Sequence, residues 1–165
     1  MLFRSATSEP FRYANLDSGA VQTAYQLVHD AGWTSYPQNL AINKLRLEAL
    51  RPCLTKLVPM MQQAQIDFVT SPDRTVATLL DVVTQFATTW SQSAELAAYA
   101  VDTMKSLGIV GNGDTPTFGD FESPRIDDFI ASAIPILREQ GLNVPDLTAA
   151  DVATNEFLDK AISLP

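Results

Sequence analysis

Apolar side chains recur at three- and four-residue steps along most of this chain, the spacing that lines up one face of an α-helix. Val21, Tyr25 (or Ala24) and Val28 predict a first helix over 18–31, capped by Asp17 or Ser18 and stopped at Gly32. Ile42, Leu45, Ala49, Cys53, Leu57, Met61, Ala64 and Phe68 predict a second region over 38–69, with Leu50, Leu54 and Val58 widening its stripe. Pro52 and Pro59 fall inside it. A helix-interior proline removes a backbone donor and collides with the preceding turn, so a break or sharp kink near Arg51-Pro52 and a milder bend at Pro59 are expected.

Ser71-Pro72-Asp73 reads as a helix start, with proline in the first turn and an acid at the positive end of the dipole. From Val76 to Met104 the apolar positions keep helical spacing, and they predict one long central helix over about 72–107, ended by Gly108. At 1.5 Å per residue it would measure about 54 Å, long enough for a bend or a partner over one end. Residues 108–122 form a Gly-rich loop. Glu122-Ser123-Pro124 repeats the start signal for a helix to about Gln140, kinked at Pro135 and closed by Gly141. A last helix starts at Thr148, with Asp151 three residues on and a stripe of Val152, Phe157 (or Ala153), Ala161 and Leu164. The expected fold is all-α: a single domain over 1–165, a bundle of about five helices, with residues 1–16 as an extended arm.

The chain has 165 residues and a formal net charge of −8. Charged residues make up 18%, against roughly 25% in an average soluble protein. A surface this sparse in charge is less strongly kept from other surfaces. The 11 basic residues are scattered and outnumbered by 19 acids. Direct nucleic-acid contact, which relies on clustered Lys and Arg, is not expected. Nor is a membrane span, since polar residues interrupt every apolar run. No basic-then-apolar leader opens the sequence, so no signal peptide is expected, and the compartment stays open.

Candidate chemistry is thin. His29 is the single histidine and sits near an expected helix end, as a surface or capping group rather than a catalytic base. Cys53 is the single cysteine and occupies an apolar position, the pattern of a buried free thiol. One histidine and one cysteine exclude the common His/Cys zinc sites. The loop residues Asp114, Asp120 and Glu122 miss the calcium-hand spacing, and the glycines match neither nucleotide fingerprint. No cofactor, metal or catalytic residue is expected.

What remains is surface. Between Thr75 and Ala94 the only charge is Asp81, and the outer positions are Thr and Gln. Such a face is cheap to cover. The expected partner contacts are Phe3, Phe11 and Tyr13 on the arm; Thr78, Gln85, Thr89 and Gln92 on the long helix; and Phe118 and Phe121 in the loop. The sequence therefore favours a non-enzymatic helical protein acting through protein contact or self-association: an assembly subunit, or an acidic inhibitor or adaptor. The alternatives are a bundle holding an apolar small molecule or pigment, and an enzyme of unknown class.

Overall fold

A computed structural model describes residues 27, 29–36, 38–86 and 93–165. All regular structure among them is helical. A 3-10 turn, Lys44–Arg46, leads into α1, Leu47–Thr70; then follow α2, Asp73–Phe86; α3, Ala94–Ser106; α4, Ser123–Glu139; and α5, Ala149–Val152. The chain is all-α with about five helices, as its periodicity predicts. The expected helix over 18–31 lies almost wholly outside the described residues. Its end appears as a turn in which Gly32 N–H donates to His29 C=O at 2.9 Å.

The helix does not break into two segments at Arg51-Pro52. α1 runs unbroken through Pro52 and Pro59, and α4 through Pro135. Each proline deletes one donor, whereas the neighbouring turns keep theirs. The segment is then held by Leu54, Ile66 and Val69, all buried. Burial of a side chain this size contributes roughly 1.5–3 kcal/mol, enough in sum to offset the proline defects.

The single long helix over 72–107 is also corrected. α2 is described as far as Phe86, and α3 begins afresh at Ala94 with Ser93 in extended conformation as its N-cap. The Ser93 hydroxyl accepts from Leu96 N–H at 3.1 Å. A serine that takes up a free N–H group starts a helix more readily than it continues one. α2 packs against α3, and α3 against α1.

The glycine stops are as expected. Gly108 N–H bonds Lys105 C=O while Ile109 N–H reaches Met104 C=O; Gly141 and Leu142 repeat this on Arg138 and Leu137. Both are Schellman closures, and both glycines take the left-handed conformation such closures need. Thr148 caps α5 in a reciprocal box with Asp151, and Asp127 Oδ1 accepts Ala149 N–H, docking α5 on α4. The last helix is nevertheless one turn long. From Ala153 onward the chain forms turns that pack on the loop instead of a helix with an apolar stripe.

The helices touch mainly in pairs: α1 with α3, α2 with α3, α4 with α5. The loop 108–122 bonds to α1 and to the segment 153–165, and that segment bonds to α1 in turn. Among the described residues no large side chain is fully enclosed.

Candidate interaction surface

α1 carries the largest surprise. Its buried side chains are Leu54, Gln62, Ile66 and Val69. The predicted stripe through Ala49, Cys53, Leu57, Met61 and Ala64 is exposed instead. At about 100° per residue the two faces lie roughly 140° apart around the helix. Met60, 68% exposed, joins the outward face, and Leu45, 94% exposed, lies at its upstream end. The expectation that Cys53 is buried is overturned: its thiol is exposed. Apolar residues surround nearly the whole of α1, so spacing alone does not select the inner face. A polar residue selects it.

That residue is Gln62, only 4% exposed. Its amide nitrogen donates to Phe118 C=O at 2.7 Å and Asp159 C=O at 3.3 Å, and its oxygen accepts Asp159 N–H at 2.9 Å. A buried amide left unpaired costs about 1–3 kcal/mol, so this side of α1 must face the loop and the segment 153–165. Phe118, expected as a partner contact, is consequently buried in the core. Its own N–H donates to Ile162 C=O at 3.0 Å.

The loop is tied down by a second cluster. Phe121 meets the Tyr36 ring edge-on, with centroids 5.2 Å apart, and is half-buried. Asn155 pairs with both Phe121 main-chain groups, at 2.8 and 2.9 Å. The Arg125 guanidinium stacks 4.0 Å from the Tyr36 ring centre and donates to Thr34 and Ser35 C=O. The Tyr36 hydroxyl accepts Glu122 N–H at 3.0 Å, and Glu122 Oε1 accepts Asp114 N–H at 2.8 Å. Burial pushes the Tyr36 phenol above its ordinary value, so it stays protonated near neutrality. Each group here is spent on an internal partner. The cluster is a strap that holds 33–36 to the start of α4, with Trp33 edge-on to Phe129 beside it.

The remaining candidates divide. Thr78 and Gln85 are exposed on α2, next to Leu79, Val82 and Phe86; the last is 72% exposed, and no α2 residue is buried. Phe3, Phe11, Tyr13, Thr89 and Gln92 lie outside the described residues. His29 is exposed, with Nδ1 3.6 Å from Asp30 Oδ1. In the loop, Asp120 accepts the Thr115 hydroxyl at 2.8 Å, so its carboxylate is engaged as Glu122's is. Among the described residues no three His, Cys, Asp or Glu side chains gather as a metal site. Nor is any helix there long and apolar enough to cross a membrane. An open cleft of about 1320 Å³ runs between α1, the loop and the segment after α5, and its walls include Lys44, Asp120, Asp151 and Gln62.

No protein-family model matches the chain, and neither a curated protein nor a solved structure does.

The outward face of α1 was missed because its residues, read as a stripe, look like core. The signal available in the sequence was Gln62, an amide two turns downstream of Leu54 on the opposite flank from Cys53 and Leu57.

Proposed function

We propose that this chain is a non-enzymatic helical protein that works by protein–protein contact, as an assembly subunit or adaptor. One observation carries the reading: the longest helix among the described residues turns an apolar face, Cys53, Leu57, Met60, Met61 and Ala64, toward solvent. Large contiguous apolar patches are uncommon on proteins that act alone. The exposed edge of α2, where Leu79, Val82 and Phe86 border the uncharged Thr78 and Gln85, supplies a second such surface. The cleft supports the apolar-ligand alternative less well, because it is open to solvent, whereas such ligands fit largely enclosed pockets.

Light scattering over a range of concentrations tests the assembly form. The expected result is a mass above one chain that falls when Leu57→Asp and Met60→Asp are combined. Maleimide labelling of Cys53, slower at high concentration, would place the contact on α1. A strict monomer with concentration-independent labelling removes self-assembly and leaves a different protein as the partner.

A further inference from the structure

The segment after α5 is held in an unusual way. Gln62 grips both main-chain groups of Asp159, at 2.9 and 3.3 Å. Asn112 grips both of Leu164, accepting its N–H at 2.7 Å and donating to its C=O at 2.9 Å. Between them Phe118 N–H donates to Ile162 C=O at 3.0 Å. Every one of these bonds goes to the segment's main chain. The segment itself forms a turn, with Ala161 N–H on Asp159 Oδ1 at 2.9 Å and Ile162 N–H on Asp159 C=O at 3.2 Å. Lys160, Ala161 and Ser163 face solvent, while Ile162 and Leu164 are half-buried. Two carboxamides and one loop N–H thus read a short turn peptide by its backbone, with two shallow apolar anchors.

We propose that Gln62, Asn112 and the Phe118 main chain form a peptide-docking site. Its ligand class is a turn of the form Asp-x-x-Ile-x-Leu. The chain fills the site with its own residues 159–164, and a second copy supplies the same segment in exchange. Residues 156–158, between the Asn155–Phe121 pairing and Asp159, form the hinge. Swapping an identical element between copies changes few contacts, which makes it a low-cost route to association. Own-chain docking is favoured by an effective concentration of about millimolar for short linkers, so exchange belongs to crowded or pre-assembled chains. This inference uses the buried side of α1 and stands apart from the exposed stripe.

Complementation between full-length chains tests it. One variant carries Ile162→Asp with Leu164→Asp, which disengages the segment and leaves the site open. The other carries Asn112→Ala with Gln62→Ala, which spoils the site and leaves the segment free. With Leu57→Asp and Met60→Asp placed in both chains to silence the α1 face, an equimolar mixture is expected to give a 1:1 complex by light scattering that neither variant gives alone. A fluorescent peptide of residues 154–165 should bind the first variant at least tenfold more tightly than the unaltered chain. If circular dichroism shows both variants helical and the mixture forms no complex, the exchange is refuted. Should the double variants lose their helices, Leu164→Ala and Asn112→Ala replace them under the same two outcomes. Peptide that binds the open variant no better than the unaltered chain refutes the site itself. In chains that keep Leu57 and Met60, self-association through them would persist in either case.

Discussion

Gln62 and Asp159 are 97 residues apart in the chain, yet the Gln62 amide pairs with both main-chain groups of Asp159. That one side chain fixes which face of α1 looks inward. Gln62→Leu keeps the volume and removes all three bonds, leaving Phe118 C=O and the Asp159 groups without their partner. A loss of about 1–3 kcal/mol is expected, read as a lower midpoint in urea with the slope unchanged. An unchanged midpoint would mean that apolar packing alone orients the helix.

Ser93→Ala should cost about 1 kcal/mol, because it removes the acceptor for Leu96 N–H at the start of α3. Glu95's own backbone N–H, and after it this serine's hydroxyl, hold the Glu95 carboxyl below its ordinary value. An NMR titration of Glu95 should therefore move upward in the variant, which separates a lost cap from a general loosening.

Gly113 has a φ of +73°, and an added methyl would sit 2.8 Å from Glu122 Oε1. Gly113→Ala thus meets a strained backbone and a collision with the carboxylate that accepts Asp114 N–H. A loss above about 1 kcal/mol is expected, with a lowered melting temperature as the readout. Trimming the obstacle with Glu122→Ala in the same chain should make the second substitution less costly than it is alone.

Among the described residues, four groups shape the pH profile. Glu48 is lowered by its bonds to Arg51, Glu95 by its backbone and Ser93 bonds, and Asp151 by its bonds to Thr148. A carboxylate lowered by folding contributes stability above its unfolded value that is lost as pH falls through the folded one. The unfolded references are 4.5 for Glu and 3.8 for Asp, so the acid loss begins near 4.5 and deepens below. Tyr36 is raised by burial, and its contribution is complete below 10.0 and lost as pH rises through the folded value. Thermal melts should be flat between those limits. Replacing Tyr36 by Phe should remove the alkaline limb and leave the acid one.

How much of this was legible in the sequence depends on how local each signal is. Thr148 with Asp151, Gly108 and Gly141 act within a few residues of themselves, and each does what its type predicts. Ser93 was just as local but lay inside a periodic run that hid it. The face of α1 was not legible, since Leu54, Leu57, Met60, Met61, Ile66 and Val69 leave little of the helix without an apolar group. What chose the inner side was a contact from Gln62 to residues 56 and 97 positions away. Phe118 was misassigned to a partner for the same reason. Apolar groups in a Gly-rich loop look available until the amide that buries them is located.

Pro52 and Pro59 are seven residues apart, so they stand one above the other on α1. Glu48 C=O and Thr55 C=O each lose their usual donor, and both gaps open on that same flank. A rod missing two rungs on one side has a preferred direction of give. It curves most easily away from the prolines, so that the opposite flank, which bears Leu57 and Ala64, becomes the hollow of the arc. A rounded surface would seat there more snugly than a flat one.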